Sequence, residues 1–220
     1  MEKTAVRDAS AHQESQSQPN LIIGLGWYVV FACAVSGITV LIADFVVPNH
    51  DWISDTISDL GAGKYEFIVD IGIYTLSSAF IATALLAAHI HLGGWRWSLG
   101  LVGLALLGLV IFLIGARNEY GDNDSDGVVI HIYLVYALGL MMAAVPALMA
   151  KGAKRVGVAY SRILVGISIL WIVSAPIFLF LPTKIDGIYE RYLALIAFAL
   201  ILTLARLFIG YARGHVLERR

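Results

Sequence analysis

Carboxylates gather in two short stretches of this chain, each in a pattern that can hold a hard cation. In Glu119-Tyr120-Gly121-Asp122-Asn123-Asp124-Ser125-Asp126-Gly127, the residues Asp122, Asp124, Asp126 and Gly127 reproduce the start of a calcium loop. Alternate oxygens there converge on the ion, and the glycine permits a sharp turn. Tyr133 stands where such a loop needs its bidentate glutamate, so an EF-hand is excluded. The bare alternative is a polar Asp/Gly turn. The second stretch runs from Pro48 to Gly63, with Asp51, Asp55 and Asp59 four apart. On a short interfacial helix these three share one face and repel each other unless a cation sits among them, which makes Asp51 and Asp55 weaker candidate ligands. Plain N-capping, by Ser54 or Asp55 ahead of Thr56 or by Asp59 ahead of Gly61, accounts for the same residues without an ion. Calcium or magnesium suits an all-oxygen set, whereas His50 and His131 are the only histidines on this side to serve zinc.

Single ionisable residues at the ends of apolar runs extend this polar side. They are Asp44, Asp70, Arg117, His131, Glu190 and Arg191. Charge inside the hydrocarbon boundary is costly, so such groups turn inward and find partners. A cation held by Asp and His residues would lower the pKa of a bound water for attack on an ester, amide or phosphodiester. On that scheme His131, Asp59, Asp70, Glu190 and Arg191 are the catalytic candidates. The competing account is a hydrogen-bonded histidine at a helix end and a glutamate favoured by a helix N-terminus.

Six long apolar runs must position these residues: Leu21 to Val47, Phe67 to Ala88, Trp97 to Ala116, Val128 to Ala150, Ile163 to Leu181 and Tyr192 to Tyr211. Each approaches the ~20 residues that cross ~30 Å of hydrocarbon as a helix. The sequence therefore predicts an all-α, polytopic bundle of six transmembrane helices. Eleven of the fifteen Lys and Arg residues fall on the side of the N-terminus, the second and fourth connections and the C-terminus. Basic residues in short loops stay cytoplasmic, which places both termini inside and both acidic loops outside a cell membrane. Twelve of the sixteen acids, not used in that assignment, fall on the outer side. A net charge of −1 conceals this polarity.

With 59% hydrophobic and 14% charged residues, the 220-residue chain leaves no room for a separate soluble module. Residues 1–20 are polar and low in complexity and read as a disordered cytoplasmic tail, 21–213 as the membrane domain and 214–220 as a short cytoplasmic tail. A cleaved signal peptide is not expected, because the first apolar run is too long for one. Cys33 is the single cysteine and reads as a buried small residue. Pro146 and Pro176 fall inside helices and bend them. Gly100, Gly103 and Gly108, with Ala84 and Ala88, suit close helix contact.

Ile57-Ser58-Asp59-Leu60-Gly61-Ala62 after the first run, His131 at the start of the fourth, and Gly187-Ile188-Tyr189-Glu190-Arg191 opening the last together resemble the domain-of-unknown-function 998 family of prokaryotic six-span membrane proteins. The resemblance spans nearly the whole chain in run number and motif placement. It implies fold and topology and assigns no activity. The Asp122 to Gly127 loop stands outside it.

Two function classes follow. One is a binding or accessory membrane component, whose acidic outer face holds a divalent cation or a membrane-protein partner in the lipid bilayer. The other is a metal-dependent, lipid-active hydrolase or transferase at the outer leaflet. A small-solute transporter is weaker, because the helix middles offer only Ser36, Thr39, Ser77, Ser78, Ser168 and Ser174. No phosphate loop, nucleophile elbow or zinc-protease motif occurs, and nothing points to nucleic acid.

Overall fold

A computed structural model describes residues 18–61, 63–116 and 130–218. Six helices are long and apolar enough to cross a membrane: α1 (Pro19–Val46), α3 (Glu66–His89), α4 (Trp95–Gly115), α5 (Ile130–Ala153), α6 (Val158–Phe178) and α7 (Asp186–Glu218). A short helix, α2 (Ile57–Leu60), lies in the first loop. All the described regular structure is helical. Residues 1–17, most of the expected tail, lie outside the described residues, while Asn20 is already helical behind Pro19 in the first turn. Pro is suited to that place because its missing amide would have no partner there. At the other end α7 continues through residue 214 to Glu218.

Chain neighbours pack side by side, and α7 closes the ring between α6 and α1 while also touching α3 and α5. One core runs through the ring, built from residues such as Phe80, Trp97, Leu104, Met142, Leu164, Leu200 and Phe208. Large apolar side chains also cover the outside, among them Phe31, Leu106, Leu140 and Val173. Exposure on that scale suits hydrocarbon and not water.

In lipid, packing and interhelical hydrogen bonds replace the hydrophobic effect between helices. The α4 glycines act as expected: a side chain at Gly100 would strike Met149 and one at Gly103 would strike Val145, both on α5, while Gly108 lies against Ile81 of α3. On α3 Ala84 and Ala87 are buried, whereas Ala88 is exposed. Mid-helix serines bond one helix to the next. Ser77 Oγ donates to Gly108 O at 2.7 Å, and Ser168 Oγ to Ala143 O at 2.6 Å. That second bond falls in the turn preceding Pro146, where the proline disturbs the helix's own ladder. Trp171 Nε1 donates to Gly139 O at 2.9 Å, and Ser174 Oγ meets Tyr192 Oη at 2.9 Å. Each such bond contributes about 0.6 kcal/mol in a membrane. Cys33 is buried, as expected.

Candidate functional site

The first loop and the start of α7 form one polar assembly at an end of the bundle. Pro48 follows the last turn of α1, and Asn49, at φ 59°, turns the chain back. Residues 51–55 then fold on their own carboxylates. Asp51 Oδ1 accepts from the Ile53 amide at 3.0 Å, and Asp55 Oδ2 from the Asp51 amide at 2.8 Å. Thr56 is the N-cap of α2 in a full capping box. Its Oγ1 accepts from the Asp59 amide at 3.1 Å, while Asp59 Oδ2 accepts from the Thr56 amide at 2.7 Å.

This local chemistry corrects the expected stacking of Asp51, Asp55 and Asp59. The capping box starts the helix at Ile57 and Gly61 stops it, so two of the three aspartates precede the helix. The cap is Thr56, not Ser54, Asp55 or Asp59. Leu60 packs with Ala43 of α1 and Val69 of α3 in a small core of its own, which seats the loop on the bundle.

From the opposite side α7 grips this loop. The Ile188 amide donates to Ile53 O at 3.0 Å, joining the two backbones. Glu190 Oε2 accepts from the Ile57 amide at 2.5 Å, and Ser58 Oγ lies 3.5 Å from Oε1, so a residue on another helix supplies part of the α2 N-terminus. Such charge-assisted bonds exceed ordinary amide bonds in strength. Arg191 Nη1 donates to Asp55 O and to Gly187 O, each at 2.9 Å. Gly187 allows the approach: a Cβ there would sit 2.2 Å from Asp55 O.

Asp44, in the last turn of α1, pairs through Oδ1 with Arg191 Nη2. His50 lies between the acids, with Nε2 3.0 Å from Asp44 Oδ1 and Nδ1 3.4 Å from Asp55 Oδ2. Its Nε2 is also 3.2 Å from Arg191 Nη2. The His50 side chain is 3% exposed, Asp44 11% and Arg191 15%, against 37% for Asp55. The guanidinium thus meets one carboxylate, that of Asp44, and two backbone carbonyls, while His50 links Asp44 to Asp55. The amide of Asp51 holds the Asp55 carboxyl below the usual carboxylate range, helped by the Ser54 hydroxyl, His50 and Arg191 and opposed by partial burial. Two buried polar atoms here, Arg191 Nε and Asp186 Oδ1, have no hydrogen-bond partner among the described residues.

Of the sequence candidates, Asp55, Asp59, Glu190 and Arg191 thus meet, and Asp51 folds beside them. Asp70 stands elsewhere, in the second turn of α3, one turn from Ile73 and Tyr74, which pack on Gly115 of α4. His131 is buried in the first turn of α5, a helix that does not pack against α1, α2 or α3 among the described residues. Asp122, Asp124, Asp126 and Arg117 lie outside the described residues. Asp44, expected to turn inward and find a partner, pairs with Arg191, and His50, considered from the sequence only as a zinc ligand, joins it; neither was among the catalytic or metal candidates. An acid in the last turn of a membrane helix was the available signal for Asp44, since it demands a partner.

The clasp brings together the Ile57–Gly61 and Gly187–Arg191 segments, and a family model described as a protein of unknown function (DUF998) matches residues 27–207, which contain both. The chain belongs to the DUF998 family. Comparisons with curated proteins and with solved structures give no match. In this DUF998 chain the two motifs are halves of one structural unit: Asp59 shapes the loop, Gly187 admits it, and Glu190 and Arg191 fasten it. The arrangement can fix a loop against three helix ends. Among the described residues no three His, Cys, Asp or Glu side chains form a group suited to a metal ion.

Proposed function

We propose that this multi-pass membrane protein is a binding or accessory component of the cell membrane, with both termini cytoplasmic and the clasp outside. There it presents a rigid acidic face to a divalent cation or a membrane-protein partner. The observation that carries this reading is the use made of the carboxylates. Asp51, Asp55, Asp59 and Glu190 each accept from a backbone amide of the first loop, so they serve the loop's shape and charge.

Charge sorting supports the orientation. Among the described residues the clasp end carries eight acids (Asp44, Asp51, Asp55, Asp59, Glu66, Asp70, Asp186, Glu190) against three bases (Lys64, Lys184, Arg191). Among the described residues the opposite end carries seven bases, from Arg96 to Arg213, and one acid, Glu218.

On this reading calcium or magnesium is held by Asp122, Asp124 and Asp126 in the connection between α4 and α5. A calcium titration of the detergent-solubilised chain tests it. A ligand at ~100 times its dissociation constant stabilises by about 2.7 kcal/mol, so millimolar calcium is expected to raise the melting temperature, and Asp124→Asn to reduce that rise. An unchanged melting temperature would remove the cation from the reading.

A further inference from the structure

The end of the bundle opposite the clasp carries cations for which no carboxylate partner is found among the described residues. The connections at this end form one platform. Arg155 Nη1 donates to Leu92 O at 2.5 Å, joining the α5–α6 loop to the α3–α4 loop. Trp97 of α4 lies against Gly152 of α5, donates to Ala87 O of α3 at 2.9 Å, and meets the Phe208 ring of α7 edge-on at 6.3 Å. Arg155 is therefore engaged, whereas Arg96, Lys151, Lys154, Arg162 and Arg213 are exposed around the platform. Arg206 is exposed two turns earlier on α7 than Arg213, within the reach of a snorkelling side chain. The ion pairs Asp44–Arg191, Asp44–His50 and Asp55–His50 lie at the clasp, the other end of the bundle.

The position of these cations names their counter-charge. They sit where the lipid-facing surface ends: Arg96 lies over the ring of Trp95 at 5.5 Å, and Trp95 is itself 65% exposed. Arg162 stands beside the exposed Ile163 and one turn from the exposed Val158. An exposed tryptophan and exposed Lys/Arg side chains at the margin of apolar helices match the headgroup layer. We infer that this platform binds the headgroups of anionic phospholipids and gathers them around the protein. The inference is independent of the proposed role of the acidic face.

The test uses the full chain reconstituted in phosphatidylcholine vesicles, with spin-labelled phosphatidylglycerol or phosphatidylcholine as probe. One unscreened cation per headgroup corresponds to a preference of about fivefold for the anionic label. That preference is expected to fall towards unity in the Lys151→Gln/Lys154→Gln/Arg162→Gln triple variant and in high salt, and to survive Lys64→Gln/Lys184→Gln at the other end. Single Lys154→Gln, at an exposed position, is expected to give a partial loss and serves if the triple variant does not fold. Equal association of the two labels with the unaltered chain, or a preference fully retained in the variants, would overturn the inference. Displacement of the anionic label by millimolar inorganic phosphate would also overturn it, identifying a free-anion site instead.

Discussion

Removing the guanidinium of Arg191 is expected to loosen the first loop from α7 and leave a carboxylate stranded. Asp44 is 11% exposed, and its ion-pair partners are Arg191 and His50. Truncating one member of such a buried pair costs ~3–5 kcal/mol, because the other charge stays desolvated. Arg191→Gln also forfeits the donors to Asp55 O and Gly187 O, contributions already contained in that figure. Asp44→Asn is milder, since Arg191 keeps both carbonyls. The double variant strands no Asp44 charge, so its cost should fall short of the summed single costs by ~0.5–3 kcal/mol. At ~2–4 °C per kcal/mol for a chain of this size, Arg191→Gln lowers the melting temperature by roughly 6–20 °C. Thermal melts of the three variants and the parent in one detergent provide the assay. Single effects below ~0.5 kcal/mol that add within ~0.5 kcal/mol would refute the clasp.

Gly187→Ala is expected to destabilise by ~1–3 kcal/mol or more, because its methyl meets backbone at Asp55 and not a yielding side chain; a melt indistinguishable from the parent would contradict the close approach. Asp55 also gives a pH dependence of known sign. Its folded pKa lies below its ordinary value, so its stabilising effect is complete above ~3.9 and lost as pH falls through the lowered value. Asp55→Asn should flatten that acid limb in a pH series of melts, and an unaltered limb would remove Asp55 as its source. For the third connection, calcium should raise the melting temperature of the parent more than that of Asp124→Asn, as read by the same melts.

The six spans were legible because length and apolarity dominate a helix in lipid, and the helices found follow the apolar runs closely at α1, α3 and α4. At α6 and α7 the runs mislead about starts: the helices begin at Val158 and Asp186, several residues before the greasy stretch. At α7 the charged start is held by hydrogen bonds of Glu190 and Arg191, which hydropathy does not register. The same blindness governs the site. Asp59, Glu190 and Arg191 stood out by type and motif; Asp59 finds Thr56 three residues away, but Glu190 reaches Ile57 and Arg191 reaches Asp44 and Asp55 across 130 or more residues of sequence. No local pattern states that Arg191 meets Asp44, or that Glu190 reaches the start of α2. The spacing of Asp51, Asp55 and Asp59 suggested a helical face, but the Thr56 capping box placed the helix boundary between them.

An acidic clasp outside the membrane and a basic platform inside it make a claim that impermeant thiol labelling tests directly. Cys33 is buried, so the background is low. Lys64 and Lys154 are exposed at opposite ends, and Lys154 is a better reporter than its neighbour Gly152, where a side chain would strike Trp97. In intact cells Lys64→Cys should react with the reagent and Lys154→Cys should react only after permeabilisation. Labelling of Lys154→Cys alone in intact cells would invert the protein and contradict the account.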